Sequence, residues 1–113
     1  MPNQTDSIDQ TFVALADPTR RAVVQALSQG SATVSTLAQP FDMALPSFTQ
    51  HLGVLESAGL IVSRREGRSR VCSLNPDALK AAEDWMAMYR QQWEARMDRF
   101  EAHLAKMKKD TDQ

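Results

Sequence analysis

Two clusters of side chains carry the chemistry this chain can offer. Ser47, Thr49, Gln50 and His51 lie close together within LPSFTQHLGVLES, and Arg64, Arg65, Arg68 and Arg70 follow in RREGRSR. A glutamine amide sets one donor beside one acceptor, the pattern that pairs with an adenine edge through two hydrogen bonds. Serine and threonine hydroxyls can meet a base edge or a phosphate, and histidine can donate to a phosphate. Guanidinium groups on an extended ribbon can straddle phosphates or enter a narrow minor groove. These eight residues are the candidate site, and its chemistry suits double-stranded DNA.

Each cluster has a bland alternative. Any amphipathic helix shows polar residues on its outer face, and an exposed edge hairpin is commonly kept soluble by charge. What favours the DNA reading is their order along the chain. Leu45, Phe48, Leu52 and Leu55 form one apolar stripe, which predicts a helix over Leu45–Ala58 with the polar cluster facing outward and Gly59 as its stop. Ala44, at its cap position, cannot accept the capping hydrogen bond. Strands are expected over Leu60–Arg65 and Arg68–Leu74, around a Glu66-Gly67 turn in which glycine supplies positive φ.

Upstream, Ile8, Phe12, Val13 and Leu15 predict a short first helix on roughly one face. Asp17-Pro18 signals a second, with Asp as cap and Pro at the first helical position, burying Val23, Ala26 and Leu27 and stopping at Gly30. Thr33 caps a third, short because Pro40 disfavours helix at Gln39, with Val34, Leu37, Ala38 and Phe41 inward. A few residues around Asp42–Ala44 separate it from the next helix, which is helix-turn-helix geometry. Asn75-Pro76 opens a final helix to about Lys108, where Leu79, Ala82, Met86, Tyr89, Trp93, Met97, Phe100, Leu104 and Met107 step by three and four. A domain of 113 residues offers little to cover so long a seam, so burial against a second copy is the better account. Trp85 and Trp93 could instead line a ligand pocket between subunits.

Size and charge bound the rest. The chain is expected to form one domain over 1–113, with 8–75 as core and hairpin and 76–108 as the dimerisation helix. Net charge is −1, yet residues 60–75 carry four arginines against Glu66, while residues 1–17 carry three acids and no base. No run of 18 apolar residues exists, and MPNQTDSIDQ lacks the basic and apolar regions of a signal peptide, so a cytoplasmic protein with no membrane association is expected. A single cysteine, Cys72, cannot form an internal disulfide. No Ser/His/Asp, Cys/His or glycine-rich phosphate motif is present, which argues against an enzyme.

AlADPTRRAVVQAL (Ala14–Leu27), FDMALPSFTQHLGVLESAGLI (Phe41–Ile61) and RREGRSRVCSLNP (Arg64–Pro76), in this order, resemble the ArsR family of winged helix-turn-helix repressors. The resemblance covers about Phe12 to Pro76. It implies a mostly α fold with a small β-hairpin as the wing and a long C-terminal dimerisation helix. It also implies a homodimer that represses transcription at an operator with two-fold symmetry. By resemblance, Leu45–Ala58 is the recognition helix, Gly67 marks the wing tip, and His51 matches the family's S-x-HL histidine, with Thr49 where Ser is usual. The expected dimer interface comprises Phe12, by resemblance only, with Leu79, Met86, Tyr89, Trp93, Met97, Phe100 and Leu104.

Ala44 stands where the family usually has a serine cap. The paired metal-binding cysteines of many members are missing from TLAQPFD, and the last helix offers only His103 with Asp98 and Glu101 near it. No metal site and no cofactor are expected, which points to a metal-independent branch. Three readings remain beside the repressor: a winged-helix interaction module that never meets DNA, a metal-responsive repressor, and a redox-responsive one acting through Cys72. The sequence names no small-molecule effector.

Overall fold

The computed structural model describes residues 4–111, so residues 1–3 and 112–113 of the expected 1–113 domain lie outside it. The chain divides into two compact units, Met1–Ala82 and Glu83–Gln113. Helix α1 (Gln4–Leu15) starts earlier than the expected Ile8. Its buried face is Ile8, Thr11 and Ala14, whereas Phe12 and Val13, expected on the inner face, are exposed. Thr11 can be buried because its hydroxyl donates to the Ser7 carbonyl at 3.0 Å, one turn back.

Asp17 caps α2 (Pro18–Leu27) as expected, accepting from the Arg20 backbone N–H at 3.1 Å. Val23 and Leu27 are buried, but Ala26 is exposed. Thr33 then serves twice. It ends a two-residue strand, β1 (Ala32–Thr33), and its hydroxyl caps α3 (Val34–Ala38) through the Thr36 N–H at 3.1 Å. Helix α4 (Leu45–Ser57) starts at Ala44, which makes no side-chain cap bond.

The end of α4 determines where the hairpin starts. Gly59 has φ +76°, its N–H bonds the Glu56 carbonyl at 2.9 Å, and the Leu60 N–H bonds the Leu55 carbonyl at 3.0 Å. This pair of bonds is the Schellman arrangement, and it turns the chain straight from helix into strand. Strands β2 (Ile61–Glu66) and β3 (Ser69–Leu74) pair antiparallel, with Ile61 opposite Leu74 and Glu66 opposite Ser69. Both lie one residue later than expected at their start, so the turn is Gly67-Arg68. Gly67 has φ +60°, and no non-glycine described residue, Arg68 included, has positive φ, the signs expected of a type II′ hairpin turn. The sheet is three-stranded rather than a bare hairpin, in the order β1-β3-β2, with Ala32 opposite Cys72.

The core collects one face of each element: Ala14, Val23, Leu27, Leu37, Phe48, Leu52, Leu55, Leu60, Ile61 and Cys72. Phe41 stacks on Phe48 at 5.4 Å and closes the core at the start of α4. Leu45 shares the stripe of Phe48 and Leu52 but lies in the first turn, beyond that closure, and is 57% exposed, against the expectation that it points inward. Helix α5 (Pro76–Thr111) is continuous and ends slightly beyond the expected Lys108. Asn75 opens it, its side-chain oxygen accepting from the Asp77 N–H at 3.3 Å.

Candidate nucleic-acid interface

Helix α4 directs its polar cluster as its apolar stripe requires. With Phe48, Leu52 and Leu55 inward, Ser47, Thr49 and Gln50 are exposed. Gln50 also lines a groove of about 690 Å³ with Asp9, Gln10 and Val13 of α1 and Gly53, Val54, Ser57 and Ala58. His51 differs from these three. It is only partly exposed, and its Nδ1 lies 3.1 Å from Arg20 Nη1. Arginine can only donate, so Nδ1 accepts and the neutral ring carries its proton on Nε2.

Arg20 and Arg21 were not among the expected site residues, and they bind helix ends together. Arg20 donates to the Ala14 carbonyl at 2.7 Å and the Val13 carbonyl at 3.1 Å, and Arg21 donates to the Leu15 carbonyl at 2.8 Å. These are the last carbonyls of α1, which has no basic residue of its own in its final turn. Asp17 completes the cluster. The Arg20 backbone N–H lowers its carboxyl below the ordinary carboxylate range, and the Arg20 charge adds to that.

The register sorts the four wing arginines. Residues opposite one another share a face, so Ile61, Ser63 and Arg65 of β2 lie with Leu74, Cys72 and Arg70 of β3 on the core-facing side. Arg64 is on the other side, bonded to Glu66 at 2.9 Å and to Ser73 at 3.3 Å. Arg70 turns inward to Glu56 at the end of α4, with Nη2 at 2.8 Å from each carboxylate oxygen and Nε at 2.9 Å from Ser63 Oγ. Ser63 donates in turn to Glu56. The Ser63 hydroxyl, then Arg70, lower the Glu56 carboxyl against the opposing pull of burial. A carboxyl lowered on folding contributes stability fully at neutral pH and loses it only as pH falls through the lowered value. Arg65 and Arg68 bond to no side chain among the described residues, and Arg68 sits at the hairpin tip. Of the eight expected residues, Ser47, Thr49, Gln50, Arg65 and Arg68 are therefore open to a ligand. His51, Arg64 and Arg70 are engaged within the protein. Arg70 departs furthest from the expected role.

Cys72 is 1% exposed, and burial raises its thiol pKa further, with Arg70 partly opposing. A protonated, enclosed thiol is a poor nucleophile. In the native protein, iodoacetamide at neutral pH is expected to leave Cys72 unmodified for hours, while denaturant exposes it to reaction within minutes. Mass spectrometry of the two samples checks this. Among the described residues, no group of three or more His, Cys, Asp or Glu side chains could hold a metal ion, and no helix is long and apolar enough to cross a membrane.

The stripe on α5 differs from the other helices' stripes in being open. Met86, Tyr89, Trp93, Met97, Phe100, Leu104 and Met107 are all exposed, as is Phe12 on α1. Leu79, expected in the same interface, is half-buried and packs against the core, as Ala78 does. The open residues repeat at spacings of three and four with one pair of fours at Tyr89-Trp93-Met97, a stutter in an otherwise seven-residue repeat. Arg96 lies over the Trp93 ring at 5.9 Å from its centroid.

A helix-turn-helix domain model matches residues 15–64. An HTH-type transcriptional regulator of Mycobacterium tuberculosis is 43% identical, over 66% of this chain and 70% of that one. The transcriptional repressor SdpR of Bacillus subtilis is 34% identical, over 70% of this chain and 88% of that one. The crystal structure of an ArsR family transcriptional regulator is 48% identical, covers 83% of this chain and 97% of that one, and superposes with a TM-score of 0.77. The chain belongs to the ArsR family. It is a DNA-binding transcriptional regulator with the winged helix-turn-helix fold, β2 and β3 forming the wing, and its relatives are regulators rather than enzymes. The homodimeric winged helix-turn-helix DNA-binding domain of a possible ArsR-family regulator from Mycobacterium bovis is 25% identical with a TM-score of 0.62, over 80% of this chain and 85% of that one.

Proposed function

We propose that this ArsR-family protein is a homodimeric cytoplasmic repressor that binds a two-fold symmetric operator. Each protomer inserts α4 into the major groove, with Gln50 reading a base edge and Ser47 and Thr49 meeting base or phosphate. The wing rests Arg65 and Arg68 on the flanking backbone or minor groove. The observation that carries this reading is the pairing of an outward Ser47-Thr49-Gln50 face with two wing arginines that no side chain among the described residues engages. The open α5 stripe supports a dimer, because so many large apolar side chains in one row are rarely left to water. The named repressor among the relatives and the homodimeric domain among the neighbours support it too. Half-sites about 10 bp apart follow from two recognition helices entering successive major grooves on one side of the duplex.

Two substitutions separate reading from holding. Gln50→Ala is expected to lower the preference for the operator by about 1–3 kcal/mol at one base position, with nonspecific affinity kept. Arg68→Ala is expected to weaken binding to all sequences and to reduce the slope of log K against log salt by about one. Fluorescence anisotropy on specific and scrambled duplexes at several salt concentrations reads both. An unchanged ratio of specific to nonspecific affinity in Gln50→Ala would remove Gln50 as a base reader.

A further inference from the structure

We infer that Glu56, Ser63 and Arg70 form a joint that aims the wing relative to the recognition helix, so that Arg70 serves DNA binding by positioning and does not touch DNA itself. This rests on the proposed DNA-binding mode and adds residues to it. The three side chains come from three elements: Glu56 from the last turn of α4, Ser63 from β2 and Arg70 from β3. They form a closed set, in which Arg70 reaches both Glu56 oxygens at 2.8 Å and Ser63 at 2.9 Å, while Ser63 donates to Glu56. With Nη2 on the carboxylate and Nε on the Ser63 hydroxyl, the guanidinium is held at two of its nitrogens, which fixes its direction as well as its distance.

The place of this joint on the hairpin gives it leverage. On the core-facing side, Ile61 and Cys72 are buried beneath it. Beyond it, every residue from Arg64 to Ser69 is exposed, so the outer hairpin has no packing of its own to aim it. At about 3.3 Å per strand residue, the tip lies roughly 13 Å past Ser63, and a tilt of about 10° at the joint moves Arg68 by about 2 Å. A displacement of that size breaks a phosphate hydrogen bond, whose donor and acceptor must lie within about 3.2 Å.

The test compares Glu56→Ala, Arg70→Met, Ser63→Ala and the Glu56→Ala/Arg70→Met double variant on a duplex selected from random sequence. Affinity is read by anisotropy across a salt series, and backbone 15N order parameters are read in the free protein. The joint predicts that Glu56→Ala weakens binding about tenfold although it removes a negative charge near DNA, that Arg70→Met does the same, and that the double variant adds little. The salt slope of Arg70→Met stays that of the unaltered protein. Without DNA, order parameters at Gly67 and Ser69 fall below about 0.6 in both single variants and change less in Ser63→Ala, while the core residue Leu55 stays near 0.85. Tighter binding by Glu56→Ala together with a salt slope lowered by about one in Arg70→Met would overturn the inference, because Arg70 would then contact a phosphate. Unchanged wing order parameters would overturn it as well, whatever the DNA result. Absence of DNA binding by the unaltered protein would instead fault the DNA-binding mode, and the order parameters would still report on the joint.

Discussion

Phe48→Ala is expected to destabilise the folded protein by about 3–5 kcal/mol, a large share of the roughly 5–15 kcal/mol that holds a domain of this size. Phe48 is fully buried one turn into α4 and stacks on Phe41, with its ring among Leu52, Leu55 and the first helices' inner faces. Truncation removes the ring from the core and leaves a cavity that close packing cannot fill. Thermal unfolding followed by circular dichroism at one fixed protein concentration should show Tm lowered by on the order of 10–20 °C. Leu45→Ala is the informative control. It belongs to the same stripe in sequence but is 57% exposed, so its loss should change Tm by only a few degrees. Equal losses at the two positions would mean that Leu45 is packed as deeply as Phe48.

The second large effect concerns α5. Trp93 is 61% and Phe100 55% exposed, one heptad apart on the same stripe. A Trp93→Glu/Phe100→Glu double substitution places two carboxylates where the interface needs apolar surface, and the protein is expected to sediment as a monomer at micromolar concentration. DNA affinity should then fall by about 10²–10⁴-fold, because the two half-sites are no longer engaged by one molecule. Ala95→Glu, on the opposite side of the helix at 3.6 residues per turn, should leave both properties unchanged. A double variant that remains dimeric would place the interface elsewhere.

Local signals in the sequence were sufficient for most elements. Asp17, Thr33 and Asn75 each cap the helix that follows them, Gly59 turns α4 into β2, and Gly67 shapes the hairpin, because each acts through its own backbone or a neighbour a few residues away. Ala44 was legible too, as a cap position without a capping group. What could not be read was the choice of distant partners. Strand β1 has two residues, too few for any alternation, and exists because Ala32 meets Cys72 forty residues on. Phe12 is more apolar than Thr11, yet Thr11 is the buried one, since its hydroxyl can be satisfied within α1.

The candidate site divides along the same line. Ser47, Thr49 and Gln50 are open because the stripe behind them is helical, and that period is visible in sequence. Four arginines in one hairpin are equally visible, but their roles are not. Arg70 faces Glu56 only because the register sets it on the core-facing side, opposite Arg65. A one-residue shift would have turned it outward with Arg64. His51 meets Arg20 across the junction of α1, α2 and α4, a contact no spacing announces.

The central claim is sequence-specific binding of duplex DNA by two copies acting together. Selection from a random double-stranded library, carried out with the full chain at moderate salt, tests it most directly. The expected result is enrichment of a two-fold symmetric sequence whose half-site centres lie about 10 bp apart, bound by two protomers. Pools that gain no preferred sequence over successive rounds would contradict the account.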